Sequence, residues 1–160
     1  MATWVRLLDR RTGKRLLFLN THLDHVSEAA RAYGAAAIAG FLRGAAARRP
    51  TEAHVLTGDL NAHDDSAAVR ALLAAPLADS HRALHAPSAE ERTAHGYYRR
   101  RGDRPQPTFD GRRIDYIFHS PQLAAQAASI DRFGQAEGRW PSDHHAVTAT
   151  LVWQVAKPKI

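Results

Sequence analysis

Cysteine is absent from the 160 residues. That excludes disulfides and thiolate metal sites, so any bound metal must be held by oxygen or imidazole. Long apolar runs are missing too. No stretch nears the roughly 20 residues needed to cross a bilayer. The opening Met1-Ala2-Thr3-Trp4-Val5-Arg6 also lacks the apolar region of a secretory signal, so the expected location is cytoplasmic. Acidic charge is in deficit: Asp and Glu number 16 against 22 Lys and Arg, a formal charge of +6 carried almost wholly by arginine. Clusters such as Arg99-Arg100-Arg101 and Arg112-Arg113 would attract a phosphorylated partner. The plainer account is an Arg- and Ala-rich chain whose arginines solvate its surface. With 44% hydrophobic and 24% charged residues the composition is that of a folded globular protein. The length suits one domain, expected over residues 1–155 with a loose tail at 156–160. Neither a repeat nor a linker divides it.

Two apolar runs, residues 3–9 and 15–20, flank Arg10-Arg11-Thr12-Gly13-Lys14, which predicts a β-hairpin. Ser27 suits a helix N-cap and Glu28 the positive first turn. Tyr33, Ala37, Ile38, Phe41, Leu42 and Ala45 then recur at helical spacing as far as Arg48-Arg49-Pro50, so one face of that helix should be buried. A third apolar run at 53–57 enters a sharp turn at Gly58, and Asp64, Asp65 or Ser66 can cap a second helix through Leu73. Residues 86–111 lack periodicity and read as a long surface loop. Strands are expected at 113–119, at about 126–132 and at 146–153, the last alternating cleanly. Sheet with at least two helices on it means an α/β or α+β fold.

Four polar clusters break the strand ends: Asn20-Thr21-His22-Leu23-Asp24-His25, Gly58-Asp59-Leu60-Asn61, Arg113-Ile114-Asp115-Tyr116 and Ser142-Asp143-His144-His145. Strand ends of an open sheet share a rim, so distant positions can converge there. Singly, each cluster has a plain explanation. His22 and His25 can be loop histidines, and Gly58-Asp59 a turn capping the next helix. Asp115 is different, because a carboxylate inside the apolar run Ile114 to Phe118 must be paired or used. His144 would answer that need, with the carboxylate orienting and charging the imidazole. Hydrolysis of a phosphate ester requires a cation on the oxygens, a group to activate water and donors for developing charge. Carboxylate and amide oxygens of Asp59, Asn61 and Asp143 suit a hard ion such as Mg²⁺ or Mn²⁺, and two histidines add protonatable donors. His22-Leu23-Asp24-His25 partly overlaps a zinc hydrolase motif of the His-x-His-x-Asp-His kind. Position 20 is Asn where that motif needs its first histidine, which disfavours zinc.

The ordered set Asn-Thr-His-Leu-Asp-His, Gly-Asp-Leu-Asn-Ala, Thr-Phe, Arg-Ile-Asp-Tyr-Ile-Phe and Pro-Ser-Asp-His-His-Ala-Val resembles the endonuclease/exonuclease/phosphatase superfamily over about residues 3–153. The resemblance implies a two-sheet, four-layer sandwich of the deoxyribonuclease I kind and divalent-metal phosphoester hydrolysis. It implies roles as well: His22 contacting phosphate, Asp59 orienting or deprotonating water, Asn61 contacting phosphate and Asp143 ligating metal. His144 would bind or protonate phosphate while paired to Asp115, and Thr108-Phe109 would line the pocket.

The chain also departs from the family pattern. The family domain opens with an Asn-bearing strand and a metal-binding Glu in a Leu-Gln-Glu-like context, and neither is found; Glu28, Glu52, Glu90, Glu91 and Glu137 all sit elsewhere. The expectation is therefore the C-terminal half or more of the sandwich, with the N-terminal half missing. Its apolar sheet face would be covered by a homodimer or a complementing half. Expected substrates are nucleic acid, a lipid headgroup or a small phosphate ester. The alternative is a non-catalytic remnant that binds nucleic acid or phosphorylated ligands through its arginines.

Overall fold

A computed structural model describes residues 1–88, 91–95, 112–132 and 141–154. The hairpin forms as expected, from β1 (Ala2–Leu8) and β2 (Arg15–His22) in antiparallel register. Its turn is tied by Asp9, whose carboxylate accepts from the amides of Arg11 and Thr12 and from the Thr12 hydroxyl at 2.6 Å. That hydroxyl, with the amides, holds the Asp9 carboxyl down to about 2. Gly13 takes the left-handed φ of 70° that the turn requires.

The chain then enters α1 (Glu28–Arg48), where the Ser27 hydroxyl accepts from Ala30 N. Just before it, the Asp24 carboxylate accepts from the amides of Val26 and Ser27. The helix returns to β3 (Ala53–Asp59), which lies parallel to β2. Ser66, one of three candidates, caps α2 (Ala67–Leu73). β4 (Ala78–Asp79) is only two residues long and was not foreseen; it pairs with β5 (Asp115–His119) at the edge of the sheet. The first sheet runs β1-β2-β3-β5-β4. β6 (Leu123–Asp131) starts earlier than the expected 126, because a bulge between Ala125 and Ala127 lets pairing with β7 (Ala146–Trp153) continue to Leu123.

Alternation along the strands sends side chains to two separate cores. Leu17, Leu19, Leu56, Tyr116 and Phe118 join Ile38, Leu42, Val69 and Leu72 of the helices on one face. On the other face, Ala53 and Val55 meet Leu123, flanked by Phe18, Ile117, Leu151 and Trp153. Helices, five-stranded sheet and two-stranded sheet are thus stacked in that order.

The helix α1 buries most of the expected face but is rotated toward Ala35 and Ala39 and away from Tyr33 and Ala37. Ala35, Ile38, Ala39, Leu42 and Ala45 are buried, Phe41 is partly buried, and Tyr33 and Ala37 point to solvent. Alanine on every side leaves the periodicity ambiguous, and close approach decides the matter. A Cβ on Gly34 would stand 3.2 Å from Leu23 Cδ2, so a side chain there would crowd the loop after β2.

Candidate active site

Strand register builds the site. His22 ends β2, Asp59 ends β3 and Asp115 begins β5, and they are register partners in one row: His22 opposite Asp59, and Asp59 opposite Asp115. All three alternate onto the face that Phe18, Val55 and Ile117 share. The loop before β7 brings His144 over this row. Its Nδ1 lies 2.9 Å from Asp115 Oδ2, and its Nε2 lies 4.0 Å from Asp59 Oδ2. His22 Nε2 approaches the same Asp59 oxygen at 3.4 Å, although its side chain is largely exposed. The buried-carboxylate argument for Asp115 is therefore met by the partner it called for.

The turn after β3 holds Asp59 from both sides. Its Oδ1 accepts from Asn61 N at 2.8 Å, and its carbonyl accepts from Leu23 N at 3.0 Å. Asn61 adopts a φ of 48°, a left-handed conformation that asparagine tolerates. It is buried, and Asn61 Nδ2 donates to Leu23 O at 3.0 Å, so the amide oxygen is the atom left to act as a ligand. Behind the turn, Arg113 pairs with Asp79 and Asp64. Arg82 pairs with Asp64 and Glu91, and the Tyr116 hydroxyl donates to Asp64 or Ala62 O. This network buttresses the loops that carry the row. Sequence spacing offers no signal for it, because its members are scattered over separate segments.

Electrostatics set the two central groups apart. Burial pushes the Asp59 carboxyl up, helped by Asp115 and opposed by the Asn61 amide and both histidines. The hydrogen bond to Asp115 pushes the His144 imidazole up against the opposing effect of burial. These shifts favour the charged form of the imidazole and give the neighbouring carboxylate enhanced basicity.

Ligand atoms of Asp59, Asp115 and His144 all lie within 4.8 Å of one another. Two carboxylates, with the Asn61 amide oxygen at the same turn, supply oxygen donors that fit a hard divalent ion. Asp143 is not part of that trio. It stands beside His144, and its carbonyl accepts from His95 N at 2.8 Å. Thr108 and Phe109 lie outside the described residues. His25 is exposed. Asp115 also lines a cleft between β5 and the β6–β7 pair, walled by Ser80, His81, Arg113, Ser129 and Thr148.

Sequence reading missed Thr93. Its hydroxyl accepts from the amides of Ile114 and Asp115, yet a lone threonine in a stretch without periodicity carries no spacing signal.

Comparison with solved structures places this arrangement among known folds. An endonuclease/exonuclease/phosphatase protein from Bacteroides vulgatus aligns with 96% of this chain and 55% of its own, at 30% identity and a TM-score of 0.76. A mannosyl-6-phosphatase from Bacteroides thetaiotaomicron aligns with 95% of this chain and 57% of its own, at 26% identity and 0.76. The human Nocturnin catalytic domain with bound sulfate, 17% identical over 96% of this chain and 53% of its own, shares the fold at 0.73. The chain thus spans about half the length of these relatives. No curated protein matches the sequence. The model of the Endonuclease/Exonuclease/phosphatase family matches residues 4–144, a span that holds the first three clusters and reaches His144 of the fourth, and the chain belongs to that family.

Proposed function

We propose that the chain is the catalytic portion of a divalent-metal-dependent phosphoester hydrolase, with Mg²⁺ or Mn²⁺ as the ion. The observation that carries this reading is the row of His22, Asp59 and Asp115 with His144 paired to its far end. Asp59, its carboxyl raised by burial, is suited to orient and deprotonate the attacking water. His144, its imidazole pushed up by the hydrogen bond to Asp115, is suited to donate through Nε2 to a phosphate oxygen or to the leaving group. His22 stands at the open rim, 3.4 Å from Asp59, where it can meet a second phosphate oxygen. Asp59 and Asn61 would hold the metal together with Asp143, and Asp115 lies close enough to share it. When bound, the ion would neutralise phosphate charge and lower the cost of forming hydroxide. Thr108 and Phe109 are proposed to line the substrate pocket.

Phosphate esters are the substrate class. Similarity to a mannosyl-6-phosphatase at 26% identity supports including a sugar 6-phosphate beside a nucleic acid strand and a generic diester. Because the chain spans about half of its relatives' length, we also propose that a second copy or a complementing polypeptide completes the working enzyme.

Hydrolysis of bis(p-nitrophenyl) phosphate, p-nitrophenyl phosphate and mannose 6-phosphate, each with Mg²⁺, Mn²⁺ or chelator, tests the reading. Turnover should need metal and fall by roughly 10²–10⁴ in Asp59→Ala. Turnover that survives chelator or Asp59→Ala would reject it. Salt-sensitive binding of nucleic acid without turnover would favour the binding remnant instead.

A further inference from the structure

Asp115 leads β5 and His144 precedes β7, 29 positions further on. One short segment, residues 91–95, hydrogen-bonds to Asp115 and to both chain neighbours of His144. Thr93 at its centre is fully buried. The Thr93 hydroxyl oxygen accepts from Ile114 N at 3.0 Å and from Asp115 N at 3.2 Å, so it grips the backbone that carries the carboxylate. The Thr93 carbonyl accepts from His145 N at 2.7 Å, Ala94 forms an antiparallel bridge to His144, and His95 N donates to Asp143 O. That side grips the backbone that carries the imidazole. The segment is itself anchored, because the Glu91 carboxylate receives two bonds from Arg82, which also reaches Asp64 in the turn after Asn61.

We propose that Thr93 is a positioning residue for the hydrolytic reaction, its hydroxyl and carbonyl fixing the Asp115–His144 pair from both sides. The kinetic part of this inference rests on the hydrolase reading above; the structural part does not. A pair drawn from two distant segments keeps its 2.9 Å separation only if both backbones are referred to a common frame, and residues 91–95 supply one. Displacement of a reacting group by about 1 Å can cost roughly 10²-fold in rate. Losing the hydroxyl should therefore act on turnover far more than on substrate affinity.

Thr93→Ser and Thr93→Ala both remove the methyl group, and only Thr93→Ser keeps the acceptor. The test compares kcat and KM of these variants. It also follows the downfield proton resonance of the His144 Nδ1–H, assigned by its loss in Asp115→Asn. Expected is a fall in kcat of about 10- to 100-fold in Thr93→Ala with KM within about twofold, and loss or upfield movement of the resonance. Thr93→Ser should restore both. An unchanged kcat and resonance in Thr93→Ala, equal losses in Thr93→Ser, or a wild-type spectrum with no resonance dependent on Asp115 would each overturn the proposal. Should Thr93→Ala not fold, Thr93→Val fills the same volume without the acceptor and takes its place. Failure of both to fold while Thr93→Ser folds would mean a structural role alone and also overturn it. Absent turnover in the wild-type chain would count against the chain being active by itself, and the resonance comparison would still decide the role of Thr93.

Discussion

A single added methyl at position 58 would strike the backbone that carries the histidine of the row. Gly58 takes a φ of 150°, and a Cβ built on it would sit 1.9 Å from the carbonyl oxygen of Thr21, its register partner on β2. Neither atom is the far end of a flexible side chain, so the two strands would have to separate at the point where His22 meets Asp59. Gly58→Ala should therefore cost about 3 kcal/mol or more, which thermal unfolding would read as a fall in Tm of roughly 6–12 °C. A Tm within about 1 °C of wild type would mean that β2 and β3 can shift freely here. Residue-scale chemistry was the most legible part of the sequence. Asp115 announced itself as a carboxylate in an apolar strand, and His144 was the partner that resolved it. Thr93 could not be foreseen, because its function lies in whom it touches rather than in what precedes or follows it.

Strands and helices were legible where composition was contrasted and less so where it was uniform. β7 alternates as its sequence does, and Ser27 and Ser66 cap their helices because a hydroxyl there meets an otherwise unpaired amide. In α1, alanine leaves every rotation similarly apolar, so packing chose the face. β4 has two residues and exists only because β5 offers it an edge. The strands also carry an unforeseen liability in their interior histidines. His54 on β3 is buried with neither ring nitrogen hydrogen-bonded. His119 on β5 is buried, with Nδ1 2.8 Å from the Ser80 hydroxyl. Burial holds both below the ordinary imidazole value of 6.5; Glu52 opposes this at His54 and Arg6 adds to it, while Asp79 opposes it at His119. The unfolded chain then binds more protons than the folded one as pH drops below 6.5, so stability is full above that value and lost toward the depressed folded values. Wild-type Tm should fall between about pH 7.5 and about pH 5.5. His54→Leu, which also removes an unsatisfied polar group, should gain about 1–2 kcal/mol at the higher pH and lose less on acidification. Parallel Tm–pH curves for the two proteins would show that His54 does not contribute to the acid loss.

At the scale of the whole molecule, the first sheet is unequally covered. Trp4, Val5, Leu7 and Leu8 of β1 are between 46% and 56% exposed. The exposure is on both faces, since Trp4 leans on Phe41 toward the helices while Val5 and Leu7 sit opposite Phe18 and Leu16 toward the second sheet. That second sheet has two strands and packs beside β5, leaving the β1 side of the same face open among the described residues. An apolar edge strand offers both side-chain area and unpaired backbone groups to another chain. Antiparallel pairing of β1 with β1 of a second copy would satisfy both by a twofold operation. Light scattering across about 5–200 µM should then show the mass rising with concentration, and Val5→Glu with Leu7→Lys should abolish that rise while leaving Tm nearly unchanged, because neither side chain is buried in the monomer. A wild-type chain that stays monomeric throughout would remove self-association as the cover for this face. Association that persists in the double variant would place the contact elsewhere. A dimer that forms and is lost with these two substitutions would tie the assembly to the sheet whose far rim carries His22, Asp59 and Asp115, and so allow turnover to be measured as a function of assembly.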